Sequence, residues 1–296
     1  MKVYDCFMYF DEELLAKIRL NILNKYVSKF LIVEAKYTHN GDKKKLNFNF
    51  KKFTKFKNKI EYIIVDKIPP NLKKIKINED ENIKAQKLIF NGYARDIFQR
   101  NQISKGLVGV DDNDVIIISD LDEIPNLTQV KLDEINNHII VFKQKIFYYK
   151  LNLLYRNFYW FGSKACKKKI LKSPQWLREI KAKKYSLFRL DTYFSKKKYS
   201  NLKFVDNGGW HFTYIKSPRE IFFKLSNFAH HYEFERSKLK IEDIKKFVLQ
   251  KRVIYDYDVD KRNYKWSGRK KLVKYPIKKL PTFIYKEKHN LRKWID

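Results

Sequence analysis

Three acids directly after an apolar run are the residues best suited, by type and spacing, to do chemistry. Asp120, Asp122 and Glu123 follow Val115–Ile118 with one residue between. Four consecutive β-branched residues predict a strand that is buried on both faces of a sheet. The acids would then leave the sheet at the carboxyl end of a central strand, which is where open α/β sheets bind ligands.

Carboxylates this close together repel one another unless a cation neutralises them. A hard divalent ion such as Mn²⁺ or Mg²⁺ suits both carboxylates and diphosphate oxygens. Transfer of a sugar from a nucleoside diphosphate builds negative charge on the leaving diphosphate, and a bridging metal stabilises that charge. The pattern therefore predicts a metal site with Asp120 and Asp122. A nucleotidyltransferase would also place paired acids on a metal, but it would attack a phosphate.

Other side chains could bind the divalent metal ion or the diphosphate. In the segment 208–214 two adjacent glycines permit close backbone approach, and the imidazole of His211 could bind a metal. A hydrogen-bonded histidine at the start of a strand is the alternative. Arg95 and Arg100, on the predicted helix before the acidic strand, suit a diphosphate, although a solvated basic face also explains them.

The elements that must position these residues alternate between helix and strand. Apolar spacing predicts helices over 12–26 and 79–105, and strands over 2–10, 30–34 and 60–65. This order predicts an α/β domain with a largely parallel central sheet. Beyond residue 125 we expect strands over 139–149, 158–161 and 210–215, and helices over 218–232 and 241–253.

The chain is strongly basic, with a formal net charge of +32 over 296 residues. A charge this high suggests a nucleic-acid-binding protein, because neutralisation of phosphates dominates the affinity of such proteins. The excess is mostly Lys spread along the whole chain, together with many Asn, Ile, Tyr and Phe residues. That mixture is typical of an AT-rich genome and indicates a microbial or viral origin. We expect no stable nucleic-acid complex, and weak association with anionic membranes.

Cysteine use and hydropathy indicate the compartment. Cys6 and Cys166 do not make a disulfide framework, so we expect two buried free thiols. No stretch approaches the roughly 20 apolar residues of a membrane span, and the N-terminus lacks a signal-like apolar core. We therefore expect a cytoplasmic protein, at most peripheral to a membrane. The sequence has no serine-hydrolase, P-loop, dinucleotide-binding or zinc-finger motif.

Several ordered motifs resemble glycosyltransferase family 17. They are residues 5–12 with 18–20, residues 30–35 with 38–41, and residues 119–125, 208–214 and 228–230, within a span of about 2–266. This family contains the β-1,4-mannosyl-glycoprotein 4-β-N-acetylglucosaminyltransferase that adds bisecting GlcNAc to N-glycans. The resemblance implies a GT-A-like fold, a nucleotide-sugar donor such as UDP-GlcNAc, a divalent metal and inversion at the anomeric carbon.

The resemblance also implies roles for individual residues. Asp120 and Asp122 become the acids of a D-x-D motif, with Asp122 the more direct metal ligand and His211 a further one. Asp120 would reach the ribose, or the metal through water. We place the GT-A-like domain at 1–235, and a basic helical or irregular extension, packed on that core, at 236–296.

The substrates would be held by three further groups of residues. A GT-A fold would hold the nucleotide near Asp5, Glu34 and His39, with Arg95 and Arg100 on the diphosphate. One carboxylate should act as general base on the acceptor hydroxyl. The candidates for this base are Asp206, Glu220 and Glu123. The candidates for acceptor contacts are Trp160, Trp210 and His230. Core packing is the alternative for the tryptophans, and a helix-end position favoured by the dipole is the alternative for His230.

The acceptor class differs from that of the best-known family members. Animal members carry an N-terminal membrane anchor, and this sequence shows none. A cell-surface, capsular or virion glycan is therefore as suitable an acceptor as an N-glycan. Two other classes remain open at this point. One is a nucleic-acid-binding protein that uses the basic surface, and the other is a glycan-binding relative without activity.

Overall fold

The fold is built on one mixed sheet with helices packed on both faces. A computed structural model describes residues 1–185, 194–228, 231–259 and 264–296. The strands of this described part are β1 (Val3–Met8), β2 (Lys29–Ala35), β3 (Ile60–Val65), β4 (Val115–Ile118), β5 (Glu123–Pro125), β6 (Ile139–Tyr148), β7 (Leu153–Trp160), β8 (Lys164–Lys167), β9 (Leu202–Thr213) and β10 (Val273–Lys274). Its α-helices are α1 (Glu13–Leu23), α2 (Glu81–Asn101), α3 (Pro174–Glu179), α4 (Pro218–Asn227), α5 (His231–Ser237), α6 (Ile241–Leu249) and α7 (Thr282–Lys286).

The sheet is wholly parallel in its first half and mixed in its second. The strands β3, β2, β1 and β4 are neighbours in that order, and each pairing is parallel. Beyond β4 the pairings β4–β8, β8–β6 and β6–β7 are antiparallel, and β9 then runs parallel to β6. The expected α/β class is confirmed. The expected largely parallel sheet is wrong for the second half, where β6 and β7 form a hairpin and β8 enters between β4 and β6 antiparallel to both.

The first half of the chain matches the predicted elements closely. Strand β3 has the predicted bounds, and α1 and α2 lie within the predicted helices 12–26 and 79–105. The end of the second helix tightens into a 3₁₀ turn over Gln102–Leu107. Strand β9 begins eight residues before the predicted strand 210–215, since its pairing with β6 extends it through residues 202–209, where apolar side chains do not alternate regularly.

Alternating side chains of the parallel strands divide the core into two layers. Phe30 and Ile32 of β2 face the layer that contains α1, whereas Leu31 and Val33 face the layer that contains α3. All four residues of β4 are buried, as predicted for a strand covered on both faces. Cys6 and Cys166 are buried free thiols, as predicted. Among the described residues, no helix is both long and apolar enough to cross a membrane.

The segment after residue 236 contributes to the same core. Val253, Ile254 and Trp266 pack in a cluster with residues of β6, β7 and α4. Farther along, Ile284 of α7 and Leu291 belong to the layer that contains α1. The C-terminal 61 residues therefore bury apolar side chains against two separate parts of the sheet domain.

Candidate functional site

A cavity of about 540 Å³ opens at the carboxyl ends of the parallel strands. Its wall includes residues that directly follow β1, β2 and β4, and residues of β9. This is the position expected for a ligand site in an open α/β sheet. The residues proposed from the sequence that line the cavity are His39, Arg100, Asp120, Asp122, Glu123, Trp160 and His211.

A buried ion pair beneath the cavity holds the turn that carries the acids. Asp5 of β1 and Arg19 of α1 are fully buried, and Arg19 donates to both carboxylate oxygens at 2.8 and 2.6 Å. The same guanidinium donates to the carbonyls of Asp120, Leu121 and Glu123 at 3.0, 3.2 and 2.8 Å. Asp5 therefore supports the turn from below. It does not reach the cavity, where the resemblance had implied a donor contact.

Asp120 lies between two guanidinium groups. Its Oδ1 accepts a hydrogen bond from Arg100 and its Oδ2 accepts one from Arg178, each at 2.7 Å. Burial acts to raise the pKa of Asp120, but Arg178 and Arg100 hold that pKa well below its usual range. With both oxygens engaged, Asp120 fixes the two arginines on the cavity wall.

Glu123 is only 1% exposed, and its carboxylate is held as firmly as that of Asp120. It accepts two hydrogen bonds from Arg178, at 2.7 Å each, and a third from the indole of Trp160. Gly162 approaches the carboxylate so closely that a Cβ there would lie 2.1 Å from Oε1. The carboxylate of Glu123 therefore positions Arg178 and Trp160.

Asp122 and His211 meet at the cavity wall without bonding to each other. The Nε2 atom of His211 lies 3.7 Å from Oδ1 of Asp122, which is longer than a hydrogen bond. The ammonium of Lys224 lies 3.4 Å from Oδ2. Burial acts to raise the pKa of Asp122, but Lys224 and His211 bring it to about 2. Asp122 is therefore ionised at neutral pH.

The glycine pair of the segment 208–214 brings His211 to this point. Gly209 has a φ of 134°, and a Cβ on it would lie 2.2 Å from the carbonyl oxygen of Ile124. Only glycine fits there, so β9 packs directly on β5 and His211 pairs with Glu123 across the two strands. The close approach expected from the sequence occurs at Gly209, and it places the imidazole beside Asp122.

The donor atoms at this point suit a divalent cation. Asp122 and His211 offer one oxygen and one nitrogen, and the Nδ1 atom of His211 is buried with no hydrogen-bond partner among the described residues. In the part of the chain that the structure describes, no group of three His, Cys, Asp or Glu side chains could hold a metal. Two protein ligands are enough for Mg²⁺ in nucleotide sites, where substrate phosphates and water complete the coordination.

The three other residues expected near the nucleotide have different positions. His39 lines the cavity, with Nε2 3.1 Å from Oε1 of Gln99. Arg95 lies behind it, donates to its carbonyl at 3.0 Å and contacts Gly41. Glu34 is fully buried and accepts from two backbone amides, at 2.7 and 3.0 Å, and from Tyr62. Arg95 and Glu34 therefore shape the loop that carries His39, and neither lines the cavity.

Three residues proposed for catalysis or acceptor binding lie away from the cavity. The side chain of Asp206 is 82% exposed and pairs with Lys143. Glu220 forms the capping box of α4 with Ser217. Trp210 points to the opposite side of β9 from His211, because side chains alternate along a strand, and packs on the core. These placements remove Asp206 and Glu220 as bases for a substrate in the cavity. His230 lies outside the described residues.

The cavity also contains residues that the sequence did not single out. Arg178 and Lys224 supply two of its cations, and Glu233 of α5 is an exposed acid on its wall. Tyr257 and Trp266 come from the C-terminal segment. Only proximity in the folded chain reveals them, since each lies more than 50 residues from the acidic turn and belongs to no recognisable motif.

Comparison with protein-family models identifies the class to which the protein belongs. The chain is a glycosyltransferase, an enzyme that moves a sugar from a donor to an acceptor. It belongs to glycosyltransferase family 17, whose model matches residues 1–292, essentially the whole chain. The resemblance seen in the sequence motifs is thereby confirmed. A search of curated proteins finds no significant match.

Proposed function

We propose that the protein moves N-acetylglucosamine or a related hexose from a nucleoside-diphosphate donor to a glycan hydroxyl. The transfer inverts the anomeric carbon, takes place in a GT-A-like site and needs Mn²⁺ or Mg²⁺. The observation that carries this proposal is the convergence of Asp122 and His211, from separate elements, on one cavity at the carboxyl edge of the sheet. The family assignment supports a sugar donor and an acceptor as the substrates.

A divalent cation and two fixed guanidinium groups on the wall would suit the diphosphate of the donor. Asp122 and His211 would hold the divalent cation, which would offset the negative charge that develops on the leaving diphosphate. Arg100 and Arg178 lie on the same wall and are fixed by Asp120 and Glu123. Charges held in place before reaction stabilise a transition state at little cost in reorganisation.

The reaction requires a base for the acceptor hydroxyl. The oxygen of the acceptor hydroxyl forms a bond to the anomeric carbon of the donor, and the bond from that carbon to the diphosphate breaks. The proton of the hydroxyl passes to a carboxylate. We assign this role to Glu233, an exposed acid on the cavity wall whose charge also raises the pKa of Tyr93 and Tyr255 after the larger effect of their burial. Glu123, the remaining candidate from the sequence, has its oxygens committed to Arg178 and Trp160.

Aromatic side chains on the wall of the same cavity suit the acceptor sugar. The ring of Trp160 lies 5.1 Å from that of His211 and 5.2 Å from that of Tyr257. Tyr255 and Trp266, 4.9 Å apart, continue this wall. Aromatic rings present broad apolar faces with polar edges, which match the apolar face and hydroxyl rim of a pyranose.

A donor screen tests the proposed function. Purified protein is incubated with a panel of nucleoside-diphosphate sugars and Mn²⁺ or Mg²⁺, and release of nucleoside diphosphate is measured with and without a glycan acceptor. We expect hydrolysis or transfer with at least one donor, and loss of that activity on chelation that added Mn²⁺ restores. Activity that is unchanged by a chelator would reject the metal, and failure of every donor to bind or react would reject the proposal.

A further inference from the structure

Lys224 lies between two acids at the cavity wall. Its ammonium is 2.9 Å from Oε1 of Glu12, in the segment between β1 and α1, and 3.4 Å from Oδ2 of Asp122. The exposed fractions of the three side chains are 21%, 9% and 12%, respectively. The ammonium thus faces two carboxylates at once, and these contacts favour its charged form.

We propose that Lys224 is an exchangeable counter-ion for Asp122. It neutralises this carboxylate when no metal is bound, keeps only its contact with Glu12 when a divalent cation arrives, and in this way sets how tightly the protein binds the cation. The inference rests on the proposed function, because it requires that Asp122 takes a divalent metal.

The physical reason is the cost of an uncompensated charge. A buried carboxylate without a partner is strongly destabilising, so Asp122 needs a cation before the metal and nucleotide arrive. A lysine serves this purpose because its ammonium is a point charge on a flexible stem. The same ammonium opposes a divalent cation on Asp122, since like charges a few ångströms apart repel.

Glu12 gives the ammonium of Lys224 a second partner. The Glu12 contact is the shorter of the two, and Lys224 and Lys216 lower the pKa of Glu12 against the opposing effect of its burial. Glu12 is therefore ionised and can hold the ammonium alone. Release of Asp122 then needs only the loss of the 3.4 Å contact, while the 2.9 Å contact with Glu12 keeps the ammonium paired.

A neighbouring ion pair provides a matched control. Lys216, eight residues before Lys224, pairs with Asp11 at 2.7 Å. Removal of its charge changes the net charge by the same amount as removal of the Lys224 charge. In the described part of the chain, Lys216 forms no ion pair with Asp122. A difference between the two variants therefore reports on the contact with Asp122 and not on general electrostatics.

Direct measurement of Mn²⁺ binding tests the inference. Full-length protein is freed of metal by a chelator, and the Kd for Mn²⁺ is measured by titration calorimetry and by the electron paramagnetic resonance signal of free Mn²⁺. We expect Lys224→Met to bind Mn²⁺ at least about tenfold more tightly than wild type, and Lys224→Arg and Lys216→Met to stay within about threefold. Asp122→Asn in the Lys224→Met background should abolish the gain.

The outcomes separate this inference from the proposed function. If wild type binds Mn²⁺ and Lys224→Met binds no more tightly, Lys224 is a structural bridge only and the inference is wrong. If neither protein binds Mn²⁺, with or without nucleoside diphosphate, both proposals fail. Should Lys224→Met not fold, Glu12→Gln gives the test with the opposite sign. Loss of the Glu12 charge, the second partner of Lys224, should weaken Mn²⁺ binding by about tenfold. Unchanged or tighter binding would overturn the inference.

Discussion

The acids around the cavity differ in role because their partners differ. Asp120 and Glu123 are tied to guanidinium groups, which they fix on the wall. Asp122 is ionised but held only by longer contacts with His211 and Lys224, at 3.7 and 3.4 Å. An acid with loosely held charge can exchange its partner for a ligand. Asp122 is therefore the acid of the turn that is suited to metal.

Replacement of Glu233 tests the assigned base at the scale of one residue. Glu233→Gln keeps the shape of the side chain but cannot accept the hydroxyl proton, so kcat should fall by about 10²- to 10⁴-fold, with little change in the KM for the donor. Glu235→Gln is the control, since Glu235 is exposed on the same helix and does not line the cavity. Steady-state kinetics that show equal kcat for Glu233→Gln and wild type would remove Glu233 from the mechanism.

At the scale of the element, the turn after β4 depends on α1 below it. Arg19 joins the helix to Asp5 of β1 and to three carbonyls of the turn. The apolar spacing predicts α1 correctly, but it does not predict that a charged residue points inward. Arg19 is buried because its donors complete a set of acceptors that leave the sheet together.

Replacement of Arg19 should unfold the protein more readily than removal of any surface charge on the same helix. Arg19→Met leaves Asp5 buried without a partner, which costs about 3–5 kcal/mol of unfolding free energy. Lys17→Met, at an exposed position of α1, should change stability by less than about 0.5 kcal/mol. Urea denaturation followed by circular dichroism measures both values, and similar stabilities for the two variants would contradict the role of Arg19.

The sequence predicts these elements unevenly, for physical reasons. Strand β4 was predicted with its bounds because burial on both faces requires an unbroken apolar run. Asp122 and His211 could be proposed because each belongs to a local motif. Arg178 could not, since its contacts with Asp120 and Glu123 span 58 and 55 residues and depend on how α3 packs. Spacing also does not report which acids face a cavity, and two of the three candidates for the general base, Asp206 and Glu220, do not line it.

At the scale of the whole molecule, the C-terminal segment is part of the core and lines the candidate site. It packs on β6, β7 and α4 through Val253 and Trp266, and on the layer of α1 through Ile284. It also carries Tyr255 and Tyr257 into the cavity wall. The sequence predicts a basic extension packed on the core at 236–296, and in the described residues its apolar side chains, at irregular spacing, join two core layers.

Truncation of one such side chain measures this integration. Ile284 is fully buried, and Ile284→Ala should lower the unfolding free energy by about 2–5 kcal/mol through lost burial and a residual cavity. Leu249, 81% exposed at the end of α6, provides the control, and Leu249→Ala should stay within about 0.5 kcal/mol of wild type. For each variant we expect one cooperative unfolding transition, in which the C-terminal segment unfolds together with the rest of the protein. If Ile284→Ala melts the C-terminal segment alone, the segment is a separate unit.

The most direct test of the central claim compares two Asp→Asn variants in a donor-turnover assay. Asp122→Asn removes the charge at the proposed metal position, and Asp206→Asn makes the same change at a side chain that is 82% exposed and away from the cavity. With the active donor and saturating Mn²⁺, we expect Asp122→Asn to lose about 10²- to 10³-fold in kcat and Asp206→Asn to match wild type. Wild-type turnover by folded Asp122→Asn would contradict the claim that this cavity transfers sugar through a metal held by Asp122.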